Sequence, residues 1–286
     1  MVAEKVLILG HTGKLGQALA WAFAQGHQVA GAGSRDFDAA KPSTLAPLIR
    51  RHRPGLVINA VVFGGMEECE AEPQRAFAVN TLMPRALAEL AGELDFTLVQ
   101  ISSDAVFPDL SGPGPYTESS APRPLNVYGL SKLGADCLVA ALAPRHYLCR
   151  IPILFGPPGR KPQFVEKMIA LARQGAGELR ISADVEFSPS YSRDVARGIR
   201  ELVEQGRPFG LYHLANQGRI SLLELMQEIM DRLDLSPRLV PVAQDSFPSR
   251  AVRCRRAPLG SEKLEPLRPW REAVADYCRL VSQSRE

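Results

Sequence analysis

A tyrosine and a lysine stand four residues apart in the stretch PLNVYGLSK, which covers residues 124–132. On a helix, Tyr128 and Lys132 at this spacing share one face. A tyrosine with its ordinary pKa of about 10 is a poor acid–base group at neutral pH. A nearby ammonium stabilises the phenolate and so favours proton transfer by the phenol. The pair indicates an acid–base catalyst, with two ordinary residues of an amphipathic helix as the alternative.

A hydroxyl on another element is needed to orient the oxygen that would receive this proton. The segment VQISSDAVF ends a β-rich run with Ser102 and Ser103, some 25 residues before Tyr128. Ser103 is within reach of the same point as the phenol if the strand end faces the helix. In the alternative, Ser103 only ends the strand and Tyr128 packs on the sheet.

A glycine-rich loop precedes both features. The stretch VLILGHTGKLGQAL carries Gly10, Gly13 and Gly16 between a predicted strand and a predicted helix. Such glycines permit a tight turn, a close approach of the backbone to a pyrophosphate, and packing of helix on strand. The pyrophosphate would rest on the free N–H groups of the helix N-terminus. The loop predicts dinucleotide binding, with a turn that binds nothing as the alternative. We expect His11, within this loop, to be a turn residue.

The end of the second predicted strand carries the residues that usually select the cofactor. The stretch GAGSRDFD offers Ser34 and Arg35, followed by Asp36 and Asp38. An arginine suits a 2′-phosphate, whereas an acidic residue suits the two ribose hydroxyls. Both types are present, so the signal is mixed. We expect NADP, with NAD as the other possibility.

Alternating β-rich and helical stretches over the first 155 residues must position these groups. The predicted strands are 5–9, 28–32, 56–62, 96–102 and 147–154, and the predicted helices are 15–25, 42–53, 73–92 and 125–142. The strands are mostly apolar without alternation, as in a parallel sheet covered on both faces. Repeated strand–helix–strand units indicate an α/β fold with right-handed crossovers. We expect a doubly wound parallel sheet (Rossmann) with a smaller C-terminal substrate-binding lobe.

The pattern changes at the stretch GPPGRKP, which begins at Gly156. Beyond it we predict helices at 164–174, 191–205, 222–233 and 270–281 and strands at 179–181 and 210–215. Ser221 is a good N-cap for the third of these helices, with Glu224 in the capping-box position. We expect residues 1–155, completed by about 190–216, to form the dinucleotide-binding Rossmann domain. Residues 156–189 and 217–286 would form the smaller substrate-binding lobe.

The composition argues against several classes of protein. The formal net charge is +3 over 286 residues, so no global field favours nucleic acid or an anionic membrane. No apolar run approaches the ~20 residues that span a bilayer, and residues 1–10 enter a strand pattern without a cleavable signal. The five cysteines lack CxxC spacing and are odd in number. We therefore expect a cytoplasmic protein without a metal ion and without nucleic-acid or membrane partners.

The order of the motifs resembles the extended short-chain dehydrogenases/reductases, and within them the dTDP-4-dehydrorhamnose reductase family. The matching stretches run nearly from end to end: GHTGKLG, RPGLVINA, CEAEPQRAFAVNT, ISSDAVF, PLNVYGLSKLGAD, RIPILFG, SPSYSRDVARGI, GLYHLA and KLE. The resemblance implies an NAD(P)H-dependent reductase that passes a hydride to the C4 ketone of a 4-keto-6-deoxyhexose nucleotide sugar. Tyr128 would supply the proton. A homodimer is a further possibility that the resemblance raises.

The resemblance also implies site residues, position by position. The catalytic residues would be Ser103, Tyr128 and Lys132. The cofactor-binding residues would be Gly10, Thr12, Gly13, Lys14, Leu15, Gly16, Ser34, Arg35, Asp38, Ala60, Val61, Val62, Ser102, Tyr128 and Lys132. The substrate-binding residues would be Met66, Ser103, Asp104, Tyr128 and Arg253. Asn80 of FAVNT would have a more structural role.

The departures from the family pattern lie where the sugar is expected. Ala105 and Ile153 replace an aromatic residue and a tryptophan, and Cys254 and Arg256 replace a proline and an asparagine. RIPILFG is instead similar to the regulatory β subunit of methionine adenosyltransferase, a non-reducing relative that keeps the fold and binds NADP. A cofactor-binding regulatory subunit, and an epimerase or dehydratase of the extended family, are therefore alternatives to a reductase.

Four arginines lie close together near the C-terminus, at positions 250, 253, 255 and 256. One interpretation is a solvated surface loop. The other is a clamp on a substrate diphosphate, since guanidinium groups pair bidentately with phosphate.

Overall fold

The computed structural model describes residues 4–159 and 161–283. Its strands are, in chain order, β1 (Lys5–Leu9), β2 (Gln28–Ala32), β3 (Leu56–Asn59), β4 (Thr97–Ser103), β5 (His146–Ile151), β6 (Leu154–Phe155), β7 (Glu178–Ser182), β8 (Glu186–Phe187), β9 (Ser190–Tyr191), β10 (Gly210–His213), β11 (Asn216–Gln217), β12 (Ile220–Ser221), β13 (Arg238–Val242) and β14 (Leu267–Pro269).

The helices in the described part of the chain lie between these strands. They are α1 (Lys14–Phe23), α2 (Leu45–His52), α3 (Met66–Ala71), α4 (Pro73–Phe77), α5 (Met83–Glu93), α6 (Val127–Leu142), α7 (Phe164–Arg173), α8 (Ser192–Glu204), α9 (Leu222–Arg232) and α10 (Trp270–Gln283). Short 3₁₀ turns precede α2 and follow β4, and a π-helical turn, Ala78–Leu82, joins α4 to α5.

A six-stranded parallel sheet in the order β10-β5-β4-β3-β1-β2 forms the centre of the molecule. The chain runs from β1 outward to β2, then returns to build β3, β4 and β5 on the other side. Ligands of such sheets bind at the carboxyl ends of the strands, where the strand order reverses. The expected doubly wound Rossmann sheet is confirmed.

Apolar residues of the sheet are buried on both of its faces. In β1, Val6 and Ile8 belong to one buried cluster, which includes the inner faces of α1 and α8. Leu7 and Leu9 belong to the other, which includes α2 and α5. Successive side chains of a strand point to opposite faces, which explains why these strands carry apolar residues without alternation.

The second half of the chain adds elements to this sheet and also builds a core of its own. Strand β10 pairs with β5, so residues within 190–216 do return to the main sheet. A separate buried cluster joins α7, α9 and α10 around Phe155, Tyr191 and Tyr277. The predicted capping box of α9 is present, since the Glu224 N–H donates to Ser221 Oγ at 3.1 Å. The division into a cofactor domain and a substrate lobe stays a prediction.

Some element boundaries differ from the sequence patterns for local reasons. The predicted strand 147–154 is divided into β5 and β6 around Pro152, which has no N–H for a ladder hydrogen bond. The predicted helix 73–92 contains the π-helical turn. Strand β13, which pairs with β7 and contains Pro241, is absent from the predicted strands.

Candidate active site

Ser103 and Tyr128 are brought together where β4 ends and α6 begins. Ser103 is the last residue of β4, and its hydroxyl donates to Asp104 Oδ1 at 3.0 Å and accepts from the Ala105 N–H at 3.1 Å. Tyr128 lies in the first turn of α6, within hydrogen-bonding reach of Ser103. The α6 helix begins after Asn126, whose side chain accepts from the Gly129 N–H at 2.8 Å.

A close backbone contact fixes the start of α6 against the end of β4. A Cβ placed on Gly129 would stand 2.1 Å from the Ala105 carbonyl oxygen, closer than any side chain permits. Only glycine therefore allows the helix to approach the turn after β4 at this distance. The approach is what brings the Tyr128 phenol to Ser103.

Replacing Gly129 tests this contact. We expect Gly129→Ala to lower the free energy of unfolding by about 1–3 kcal/mol, because a backbone carbonyl stands in the way of the new methyl group. Chemical denaturation of the purified variant measures the change. Gly92→Ala is the control, since a Cβ there meets nothing nearer than 3.8 Å; equal stabilities of the two variants would contradict the assignment.

Burial sets the protonation of Tyr128 and Asp104. Burial raises the pKa of Tyr128 to about 12, the Ser103 hydrogen bond opposes this rise, and the charge of Asp104 adds to it. Tyr128 therefore carries its proton at neutral pH, as a proton donor must. Burial also raises the pKa of Asp104 to about 7, against hydrogen bonds from Ser103 and the Ala105 backbone. The charge beside Ser103 thus changes near neutral pH.

Lys132 lies deeper in the protein than Tyr128. Its side chain is buried, and Nζ donates to the Ile101 carbonyl oxygen at 2.5 Å. Burial lowers the pKa of Lys132 to about 8, and the charge of Asp136 opposes this fall. The ammonium is therefore present at neutral pH, one helical turn below the phenol.

Sequence reasoning assigned no role to Asp136 and Arg150, which form a buried ion pair behind Lys132 at 3.0 Å. The available signal was spacing, because Asp136 follows Lys132 by four residues and so continues the helix face of Tyr128 and Lys132. Arg150, by contrast, comes from β5 and is placed there by the sheet alone.

The glycine loop forms the cradle that a dinucleotide requires. Gly13 is the N-cap of α1 and has an extended backbone. Because glycine has no side chain, the first N–H groups of the helix are not capped by one. A Cβ on Gly16 would stand 2.2 Å from the Gly10 carbonyl oxygen, so the helix can pack on the loop only with glycine here. Ala60 and Val61, at the end of β3, border Gly10. These residues fit the pyrophosphate of a nicotinamide dinucleotide.

Next to the loop, at the end of β2, lies a cavity of about 450 Å³ lined by His11, Thr12, Ser34, Arg35 and neighbouring residues. His11 packs on Gly31 and so forms part of its wall, which sequence reasoning missed. Neither nearby aspartate is free. Asp36 Oδ2 accepts from the Gly33 N–H at 2.8 Å, and Asp38 Oδ1 accepts from the Ala40 N–H at 3.0 Å.

Two residues expected at the cofactor have other side-chain partners. Lys14 Nζ is buried and donates to Glu166 Oε1 at 2.7 Å and to the Leu154 carbonyl oxygen at 3.3 Å. Its side chain therefore joins α1 to α7. Leu15 is 7% exposed and packs in the core beneath α1. Val62, by contrast, is exposed beyond the end of β3, and Ser102 is buried in β4.

Met66 and Arg253, both expected at the substrate, lie in two segments that an ion pair joins. Met66 opens α3, and the next residue, Glu67, pairs with Arg253 at 2.9 Å. The segment around Arg253 is also tied to the start of α6, because Asn126 Nδ2 donates to the Val252 carbonyl oxygen at 2.8 Å. The structure thus brings the Arg253 segment beside the start of α6, which carries Tyr128.

The arginine group near the C-terminus is already engaged with acidic residues. Arg253 pairs with Glu67, Arg255 with Asp184 and Asp245, and Arg256 with Glu186. These three guanidinium groups could bind a diphosphate only after their ion pairs with the acidic residues had broken.

Two further observations on the described residues concern metal ions and membranes. Groups of three or more His, Cys, Asp or Glu side chains that could hold a metal ion are absent from residues 4–159 and 161–283. Within the same ranges, none of the helices has the length and apolar character needed to cross a bilayer.

Together the parallel sheet, the glycine cradle and the Ser103–Tyr128–Lys132 set define a protein of the short-chain dehydrogenase/reductase class. The RmlD substrate binding domain family matches residues 4–282, and the chain belongs to this family. A dTDP-4-dehydrorhamnose reductase of Mycolicibacterium smegmatis is 31% identical over 288 residues, covering 98% of this chain and 87% of that protein. The resemblance carried by the sequence motifs is confirmed.

Solved structures agree with this assignment. A dTDP-4-dehydrorhamnose reductase of Clostridium acetobutylicum superposes with a TM-score of 0.91 at 27% identity, covering 97% of this chain and 99% of that one. A dTDP-4-dehydrorhamnose reductase of Bacillus anthracis in complex with NADP gives a TM-score of 0.90 at 25% identity, covering 96% and 98%.

Proposed function

We propose that the protein is an NAD(P)H-dependent reductase of a 4-keto-6-deoxyhexose nucleotide sugar, and that Ser103, Tyr128 and Lys132 carry the reaction. The observation that carries the proposal is the meeting of the Ser103 hydroxyl and the protonated Tyr128 phenol at the end of β4. The names of the relatives support the reaction, and the NADP complex of one of them supports the cofactor.

In the proposed mechanism the ketone oxygen of the sugar lies between Ser103 and Tyr128. A bound nicotinamide dinucleotide supplies the hydride. The Ser103 hydroxyl donates a hydrogen bond to the ketone oxygen and so fixes its position. Tyr128 gives its proton to the oxygen, which is more basic than a phenolate once the carbonyl is reduced. The Lys132 ammonium stabilises the phenolate that remains.

Asp104 holds the hydroxyl of Ser103 before the sugar binds. An ionised Asp104 accepts the Ser103 hydrogen, as Oδ1 does at 3.0 Å. The hydroxyl turns from Asp104 to the ketone oxygen when the sugar binds. Asp104 also lies beside Tyr128, where it is placed to contact the sugar.

The cavity at the end of β2 supports NADP as the preferred cofactor. Asp36, which also lines this cavity, and Asp38 each accept a hydrogen bond from a backbone N–H group of their own turn. The Arg35 guanidinium has no acidic partner among the described residues, so it is available to a 2′-phosphate. The free guanidinium of Arg35 among the described residues supports NADP over NAD.

Arg35→Ala tests the choice of cofactor. We expect the KM for NADPH to rise about 10- to 100-fold, since a charge-assisted hydrogen bond contributes about 1.5–3 kcal/mol. The KM for NADH should hardly change, because NADH has no 2′-phosphate. Steady-state kinetics with both cofactors measures the two values. Arg51→Ala, on exposed α2, is the control; a parallel rise for both cofactors in Arg35→Ala would contradict a 2′-phosphate role.

The proposed function itself is tested by following NADPH and NADH oxidation against a panel of 4-keto-6-deoxyhexose nucleotide sugars. We expect oxidation of NADPH with at least one of them. Ala105 and Ile153 stand where the family carries aromatic residues, so the panel is needed to identify the accepted sugar. Tight NADPH binding without turnover on any sugar would overturn the reductase and favour the regulatory subunit.

We further propose that the enzyme works in the cytoplasm as a homodimer. Leu82, Leu130 and Leu142, on or beside the neighbouring helices α5 and α6, are 46%, 49% and 40% exposed, and a second copy would cover them. Light scattering on the eluting protein gives the mass; a monomer at micromolar concentration would contradict the dimer.

A further inference from the structure

A buried ion pair lies directly behind the candidate site and has no part in the mechanism above. Arg150 Nε donates to Asp136 Oδ2 at 3.0 Å, and each side chain is 5% exposed. The Arg150 guanidinium also lies 5.1 Å above the centre of the Phe107 ring. Two charges buried this deeply are costly to desolvate and could often be replaced by apolar residues without loss. Stability alone therefore does not account for the pair.

The position of the pair relates it to Lys132. Asp136 follows Lys132 by one helical turn in α6, so Tyr128, Lys132 and Asp136 form a row on one helix face. Arg150 in β5 stands beside Ser102 in β4, next to Ile101, whose carbonyl oxygen accepts from Lys132. The carboxylate thus pairs with the arginine and lies one helical turn from the lysine.

The charges that act on Lys132 come from its own helix and from the elements packed against it. The titratable or charged groups are Tyr128 and Asp136 in α6, Cys69 in α3, Asp104 in the turn after β4, and Arg150 in β5. Burial lowers the pKa of Lys132, and the charges of Asp136 and then Cys69 oppose it. Burial raises the pKa of the Cys69 thiol to about 11, so this thiol is neutral at pH 7.

Asp136 is therefore the carboxyl group one helical turn from Lys132, and its effect on the lysine depends on its own charge. Burial raises the pKa of Asp136, and the charge of Arg150 is the first influence that lowers it again. Without Arg150 the carboxyl would tend to take up a proton and lose its effect on the lysine.

We propose that Asp136 is a positioning residue that keeps the Lys132 ammonium charged, and that Arg150 serves the reaction by keeping Asp136 ionised. The inference rests on the proposed function, because it concerns the same proton transfer from Tyr128. Two linked effects are therefore expected when the carboxylate is removed. Lys132 loses its proton at lower pH, and the alkaline limb of the pH profile of turnover moves to lower pH with it.

The direct test is an NMR titration of the protein labelled with ¹³C at the lysine ε carbons, without added cofactor. The Lys132 signal is identified by its absence from Lys132→Met. We expect it to titrate near pH 8 in the unaltered protein and about one pH unit or more lower in Asp136→Asn. An unchanged midpoint in folded Asp136→Asn overturns the proposal.

Asp194→Asn is the matched control, since Asp194 is also 5% exposed and pairs with Arg268 at 2.8 Å in another part of the fold. Its Lys132 midpoint should equal that of the unaltered protein, and an equal fall in both variants overturns the proposal. If Asp136→Asn does not fold, Asp136→Asn combined with Arg150→Met removes both charges and carries the same test.

The second readout is the pH profile of turnover with NADPH and an accepted 4-keto nucleotide sugar. The alkaline limb of Asp136→Asn should move to lower pH by the same amount as the NMR midpoint, and Asp136→Glu should restore it. A loss of rate without a shift of the limb overturns the proposal. If the unaltered protein oxidises no NADPH, the proposed function fails, while the NMR titration still decides on Asp136.

Discussion

Tyr128→Phe should lower kcat with NADPH and a 4-keto nucleotide sugar by about 10³- to 10⁴-fold while the Kd for NADPH stays within about twofold. The variant loses only the phenolic proton, and general acid catalysis contributes rate factors of up to about 10⁴. The ring remains in the first turn of α6, so the cofactor surface is preserved. Steady-state turnover and fluorescence titration of NADPH measure the two quantities.

Tyr147→Phe is the matched control for this experiment. Tyr147 is buried in β5, and its hydroxyl donates to the Arg207 carbonyl oxygen at 2.8 Å, at the edge of the main sheet. Removal of that hydroxyl should leave kcat unchanged. Turnover of Tyr128→Phe within tenfold of the unaltered protein would exclude Tyr128 as the proton donor.

Lys132→Met should lower kcat by about 10²- to 10³-fold and, unlike Tyr128→Phe, should also weaken NADPH binding. The ammonium is a preorganised charge in a buried place, and loss of one such group commonly costs a factor of this size. Methionine fills a similar volume, so the free energy of unfolding should not fall. Kinetics, cofactor titration and chemical denaturation separate the three effects.

The pH dependence of turnover tests the role of the Lys132 ammonium in a second way. The pKa of Lys132 is about 8, so the ammonium is present below this pH and is lost above it. Turnover of the unaltered protein should therefore fall as the pH rises through about 8, and Lys132→Met should lack this limb. Lys167→Met, on the exposed face of α7, should keep it; a limb that persists in Lys132→Met would assign it to another group.

The catalytic set could be predicted because its members are related by local rules. Tyr128 and Lys132 are four residues apart on one helix, and Ser103 ends the strand that precedes this helix. Parallel strands place their carboxyl ends at one edge of the sheet, so a strand-end serine and a following helix start meet there. The glycine loop follows from spacing in the same way. The roles of these residues stay predictions until the variants are measured.

Lys14 shows what local rules do not contain. The family resemblance implies that Lys14 binds the cofactor, but its ammonium pairs with Glu166, 152 residues further along the chain. The C-terminal arginines are similar, since Arg253 finds Glu67 and Arg256 finds Glu186 only after the chain has folded. A partner so distant in sequence leaves no periodic signal, and burial then decides whether the pair shifts a pKa.

The sequence alone determined the doubly wound sheet, the dinucleotide loop and the row of Tyr128 and Lys132, because each depends on spacing within one strand–helix unit. The tertiary structure decided which charges act at the site. Packing of β5 against α6 places Arg150 on Asp136, and the turns after β2 engage Asp36 and Asp38, while Arg35 has no acidic partner among the described residues. Burial shifts the pKa values of Tyr128, Lys132 and Asp104. Desolvation depends on every element that covers a group, and no single stretch of sequence contains that information.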